Sequence, residues 1–153
     1  MQQRISFQDT PKGFLDGLMK VGMFIHNSDL DHKLLHLLAH RVSQINGCAF
    51  CLDMHHKDAI HIGETEQRLH GLSAWRESPW YSEAERAALA LAESLTIRCE
   101  ADDATYEELT RHFTTGQIAT LALAISTTNT WNRLNKTFLT PAGTYKVNEF
   151  AAA

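Results

Sequence analysis

The chain is poor in cysteine: three in 153 residues, an odd number, with two of them close together. A secreted disulfide framework needs an even set at regular intervals, so crosslinks are not what holds this domain together. Long apolar runs are missing as well. The N-terminus, Met1-Gln2-Gln3-Arg4-Ile5-Ser6-Phe7, has none of signal-peptide length, and no stretch approaches the roughly 20 apolar residues of a membrane span. The sequence is therefore expected to act in the cytoplasm, with no membrane partner. Positive charge is not in excess either: 14 Lys and Arg stand against 18 Asp and Glu, a formal charge of -4. That balance excludes a nucleic-acid partner held by its phosphates. Finally, no segment alternates Val, Ile or Thr with polar residues, so no sheet is expected and the fold class reads as all-α.

What the chain does have is apolar content of 44%, enough to build the core of one domain over residues 1–153. Residues 1–12, broken by Pro11, read as an irregular arm, and 141–153, after Pro141 and Gly143, as a tail. Between them the period near 3.6 predicts a run of helices. The first spans Gly13 to Asn27, on Phe14, Leu15, Leu18, Val21 and Ile25. The second spans 31–45, on Leu34, Leu35, Leu38, Val42 and Ile45. A third runs from about 47 to Ile62 and is closed by Gly63, with Met54 and Ile60 on its buried side. Residues 65–77 are polar and interrupted by Gly71, so a short or bent helix is expected. Ser82-x-x-Glu85 is a capping box for a helix over 83–96. Asp102-Asp103 caps a short helix bearing Tyr106, Leu109 and Phe113, and Thr114-x-x-Gln117 opens the last and longest. That one is expected to sit centrally, its small residues Ala119, Ala122, Ala124 and Ser126 admitting a neighbour. Asn129 and Asn132 continue its apolar face, so their amides need partners, within the chain as the simpler reading or across a subunit boundary.

The chemistry concentrates in Asn46-Gly47-Cys48-Ala49-Phe50-Cys51-Leu52-Asp53-Met54-His55. On a helix, Cys48, Cys51 and His55 fall on one stripe, with Cys51 and His55 one turn apart. Asn46-Gly47 breaks the preceding helix and places Cys48 in the new first turn, where N–H groups and the dipole favour a thiolate. A thiol pair with an adjacent base points to redox chemistry. Two blander readings stand beside it: a zinc site of Cys48, Cys51 and His55 with His36 as a fourth ligand, and packing of small hydrophobes. Helix position favours Cys48 as the attacking thiol, and contact with His55 favours Cys51. His32, His36 and His40 form a four-residue ladder able to ligate a metal, to hydrogen-bond the dithiol or to face solvent, the last being the default for His32. Cys99, alone, reads as a buried or half-buried spectator.

With these residues laid out, the chain resembles the alkylhydroperoxidase D (AhpD)-like branch of the carboxymuconolactone decarboxylase family. The core of the resemblance is Arg41 to His55, with its Cys-x-x-Cys-x-x-x-His. Ala74-Trp75-Arg76-Glu77-Ser78-Pro79, Glu85-Arg86-Ala87-Ala88-Leu89 and Thr130-Trp131-Asn132-Arg133-Leu134-Asn135 support it. The resemblance implies a single AhpD-like helical bundle and homo-oligomers, trimers or hexamers. It also implies a peroxidase without a bound cofactor or metal, whose cysteine pair reduces a hydroperoxide. A thiol reductant recharges the pair, in characterised relatives a lipoyl-bearing protein. It assigns Cys51 as peroxidatic, Cys48 as resolving and His55 as the proton shuttle. Two positions depart from the family. His36 stands where the family's relay has a glutamate, and Phe50 where the peroxidase prototype has a histidine before the second cysteine. His36 is read as sharing the proton in the glutamate's stead. The competing functions are a decarboxylase of the parent family, working by acid–base chemistry alone, and a non-enzymatic zinc or redox-sensing site.

Overall fold

The structure is a computed structural model that describes residues 2–147. Seven α-helices occur among them: α1 (Asp16–His26), α2 (His32–Asn46), α3 (Ala49–His61), α4 (Glu66–Gly71), α5 (Glu83–Ile97), α6 (Asp103–Thr110) and α7 (Thr115–Phe138). No strand forms among the described residues. Local chemistry sets most of the boundaries. Asp31, Thr65, Ser82, Asp102 and Thr114 each accept a backbone N–H with the side chain at a helix start. Ser82 and Thr114 complete capping boxes with Glu85 and Gln117, as the sequence predicts.

Helices α2 and α7 form the middle of the bundle. α2 packs against α3, α5 and α7, and α7 also packs against α1, α3, α5 and α6. Leu37, Leu38 and Val42 of α2, Leu89 of α5, Leu109 of α6 and Leu121 and Ile125 of α7 meet there with at most 2% exposure. Each such side chain contributes about 2 kcal/mol relative to an exposed one. The long last helix is central, as expected, but its Ala119 and Ser126 face outward within the protomer, beside the exposed Leu123.

Several expectations need correction. The first helix begins at Asp16, because Gly13 has φ +82° and makes a turn that a helix cannot include. The N-terminal arm is not wholly irregular: Phe7–Asp9 forms a 3₁₀ turn, Arg4 N–H donates to Phe138 O at 2.8 Å, and the Phe7 ring packs on Phe138 and Trp131. The tail is anchored at its start, where Tyr145 is buried and its carbonyl accepts from Lys57 Nζ at 3.0 Å; residues 148–153 lie outside the described residues. Cys99 is exposed rather than buried, at φ +63° in the left-handed turn after α5.

Two polar assemblies hold the elements that carry the site. Glu93 of α5 accepts from Arg41 Nε (2.9 Å) of α2, Trp75 Nε1 (3.0 Å) and Arg76 Nη1 (2.5 Å), so the Trp75-Arg76 block ties the loop before α5 to α2. Asn46, at the end of α2, donates to Asn129 Oδ1 (2.8 Å) and Asn132 Oδ1 (2.9 Å) of α7. Asn132 in turn donates to Ser43 Oγ (3.1 Å) and Asn129 to Thr96 Oγ1 (3.0 Å). The asparagine pair is therefore satisfied within the chain.

Candidate active site

The α2–α3 junction is where the backbone turns and the sulfur chemistry begins. Gly47 adopts φ +63°, ψ +41°, and Cys48 N–H reaches back to Ser43 O at 3.1 Å, a left-handed helix stop that a side chain would strain. Cys48 is the N-cap of α3 rather than a member of its first turn, and its Sγ accepts from Cys51 N–H at 3.4 Å. Cys48 and Cys51 are joined as a disulfide with Cα atoms 5.3 Å apart, and both are 1% exposed.

The two cysteines differ in what they border. A cavity of about 310 Å³ is lined by Phe7, Leu15, Met19, Phe50, Cys51, Met54, His55, Thr128, Trp131 and Asn135, so Cys51 borders it and Cys48 lies behind. Most of that lining is aromatic or aliphatic. Phe7 and the start of α1 cover one side, and α7 supplies Trp131 and Asn135 on the other. Met54, expected on the buried side of α3, is half-buried and turned to this space.

His55 keeps some exposure through the cavity, yet it sits among so many protein atoms that burial pushes its pKa down to about 3. His36 and His40 add to the shift by disfavouring a further positive charge. Its Nδ1 is buried without a hydrogen-bond partner, and so is Asn135 Oδ1, whose amide nitrogen is committed to Trp131 O at 2.9 Å. An otherwise oily cavity thus has two residues with an unpaired polar atom on its wall.

The helical hairpin brings His36 to the back of His55, ring centroids 6.2 Å apart. Burial lowers the His36 pKa, the carboxylate of Asp58 opposes that, and His32 and His26 lower it further. Asp58 is the residue the sequence reading missed. One donor atom each from His36, His55 and Asp58 lies within 4.8 Å of the other two, and Tyr145 O–H donates to Asp58 Oδ1 at 2.8 Å. The signal was present, since His36 and Asp58 are each eleven residues from Gly47 and a helical hairpin pairs such positions. A carboxylate therefore stands beside His36 and His55 even though position 36 lacks one. The ladder divides: His32 is exposed with Nε2 at 2.9 Å from His26 O, and His36 is half-buried in the site. His40, one turn further along α2, is buried, its pKa pushed down to about 4 by burial and then by His56 and His70.

Comparison with known proteins adds an independent line. Residues 8–94 match the carboxymuconolactone decarboxylase family, a span that includes α2 and α3. The chain is 38% identical over 137 residues to the uncharacterized protein YdfG of Bacillus subtilis, across 88% of this chain and 93% of YdfG. It is 30% identical over 128 residues to the uncharacterized protein YnjA of Escherichia coli, across 80% and 70% of the two chains. Among solved structures it is similar to a protein of unknown function from Agrobacterium tumefaciens with a proposed identity as the antioxidant defence protein AhpD. The TM-score there is 0.88 at 37% identity, over 94% of this chain and all of that one. An uncharacterized peroxidase-related protein from Silicibacter shares the fold, with TM-score 0.75 at 22% identity over 85% and 70% of the two chains.

Proposed function

The chain belongs to the carboxymuconolactone decarboxylase family, and from that premise we propose that it is a two-cysteine peroxidase for hydroperoxides with an apolar body. The observation that carries this reading is the opening of Cys51 and His55 onto an apolar cavity with Cys48 bonded behind. In the reduced enzyme the Cys51 S–H proton passes to His55, and the thiolate attacks the terminal oxygen of R–O–O–H. The O–O bond breaks, sulfur is oxidised to the sulfenic acid, and the alkoxide takes the proton from His55 to leave as the alcohol. Cys48 then attacks the sulfenic sulfur, water departs and the disulfide forms. A dithiol returns the pair to two thiols by exchange and is itself oxidised.

A base held near pKa 3 in the oxidised protein needs help to accept a proton. Reduction supplies it, because a Cys51 thiolate is a counter-charge for the imidazolium one turn away. His36 and Asp58 stand behind His55 to share that proton, with Asp58 as the anionic partner that the family places at position 36. Asn135 Oδ1 is suited to accept the hydroperoxide O–H and so to hold the substrate against Cys51. We further propose a lipoyl-bearing protein as reductant and a closed homo-oligomer. In support of the latter, α1 contributes no buried residue and leaves Met23 and Phe24 each 60% exposed. A monomeric mass by light scattering at micromolar concentration contradicts the assembly.

The test is to count free thiols before and after one equivalent of cumene hydroperoxide, in the wild type and in Cys99→Ala. Loss of two thiols in both proteins is the expected result. Unchanged counts remove the peroxidase reading, and activity that survives thiol alkylation points instead to acid–base lyase chemistry.

A further inference from the structure

We propose that His36, His55 and Asp58 form a binding site for a divalent transition-metal ion of the zinc type, and that its occupancy withdraws His55 from the cysteine pair. The site lies behind the catalytic sulfurs and uses none of them. It goes beyond the peroxidase reading, which needs no metal.

The donor set is two imidazoles and one carboxylate. That mixture suits zinc, cobalt(II) and iron(II), whereas calcium and magnesium take oxygen ligands. Its placement is that of a metal site in a helical bundle: His55 and Asp58 sit at i and i+3 on one face of α3, and His36 faces them from α2. One donor atom from each lies within 4.8 Å of the others. Around a tetrahedral ion with bonds of about 2.0–2.1 Å, donors stand about 3.3 Å apart, so closure asks for about 1.5 Å at most, within reach of side-chain rotation. Three protein ligands leave a coordination position open.

Two further observations point the same way. His55 Nδ1 is buried with no hydrogen-bond partner, an arrangement that costs free energy unless something takes it up. Asp58 is oriented from outside by Tyr145 O–H at 2.8 Å, the kind of outer contact that fixes a metal-binding carboxylate. A fourfold set drawn from Cys48, Cys51, His55 and His36 is a different site, because it requires two free thiolates. Of these two sets, the His36–His55–Asp58 one is able to bind with the disulfide closed.

That difference supplies the experiment. The full chain is oxidised, stripped with chelator and titrated with zinc chloride by calorimetry, and in parallel with cobalt(II) by absorption. The expected result is one equivalent of metal bound to the oxidised protein, with a cobalt spectrum lacking thiolate charge transfer. Asp58→Asn and His36→Gln, each keeping the wild-type circular dichroism, should bind at least tenfold more weakly. Tyr145→Phe should weaken binding about tenfold through the lost outer contact. Absence of binding overturns the proposal, as does binding indifferent to Asp58→Asn and His36→Gln, or binding confined to the reduced protein. Should one variant fail to fold, the other and the wild-type cobalt spectrum still decide. Thiol counting with hydroperoxide tests the peroxidase reading separately, so failure of either leaves the other standing.

Discussion

At the junction before α3, Asn46, Ser43, Thr96, Asn129 and Asn132 close a hydrogen-bonded network among themselves; two turns into the helix, His55 keeps a buried nitrogen with no partner. Both regions place polar atoms in the interior of one bundle, and they follow opposite rules. The first spends its hydrogen-bonding capacity on holding the Gly47 turn, and so fixes where Cys48 and Cys51 stand. The second leaves capacity unspent, on a residue that lines the cavity beside Cys51. A satisfied buried group stabilises one arrangement, and an unsatisfied one is available to a substrate proton or an ion. Scaffold and reactivity are thus separable here, and substitutions can break the separation or sharpen it.

The sharpest break is at sulfur. Cys51→Ser should reduce hydroperoxide consumption by about a thousandfold or more, since the proposed nucleophile is gone, while chemical unfolding measured under reducing conditions shifts little. The converse substitution is Asn132→Ala, which removes a fully buried amide and strands the Ser43 hydroxyl and one Asn46 contact. It should cost about 2–3 kcal/mol in urea unfolding and leave Cys51 alkylation within a few-fold of wild type. If Asn132→Ala abolishes thiol reactivity without loss of stability, the network belongs to the site and the distinction fails.

A smaller effect is expected at His36. His36→Ala should slow Cys51 alkylation roughly tenfold if the imidazole shares the proton. Sequence alone places its titration near the ordinary value of about 6.5; burial lowers it, so the pH dependence it confers should appear on the acid side of that value. His36→Glu should replace that dependence with a carboxylate's. Indifference to both substitutions across pH 5 to 9 takes His36 out of the relay.

His40 gives the mildest test, because its Nδ1 is buried without a partner yet the residue does not line the cavity that Cys51 borders. Its folded pKa is about 4, below the ordinary 6.5. The unfolded chain therefore binds the proton first, and the stability its neutral ring confers is complete above about 6.5 and is lost as pH falls toward 4. The slope is up to about 1.4 kcal/mol per pH unit in that window. Urea unfolding at pH 7 and pH 5 measures it together with the same-signed contributions of His55 and His36, and His40→Gln should reduce the difference without abolishing it.

What was legible in the sequence divides along a similar line. Helix starts at Ser82 and Thr114, the stop at Gly47 and the bent stretch around Gly71 are decided within four or five residues, so reading them needs no tertiary knowledge. Cys48, Cys51 and His55 were legible for the same reason, lying on one helix. The approach of Asp58 to His36 had only the equal spacing of both residues from Gly47 as its signal, and whether their side chains meet depends on how two helices pack. Asn135 was noticed only as part of a block, since its role depends on an amide oxygen left over after Trp131 O is served. Exposure of Cys99 was hidden because a left-handed residue after α5 turns its side chain outward, and a lone cysteine carries no sign of that.

The disulfide spans a sequence separation of only three, and that bears on how much of the fold depends on it. A crosslink restrains an unfolded chain in proportion to the logarithm of the ring it closes: about 2 kcal/mol for a ring this small against nearly 5 for one of a hundred residues. Opening it therefore releases little chain freedom, and the core of α2, α5 and α7 does not depend on it. Under the proposed two-cysteine chemistry, each cycle can then pass through the dithiol with little loss of chain restraint, and stability is set by the helical core rather than by the state of the sulfurs.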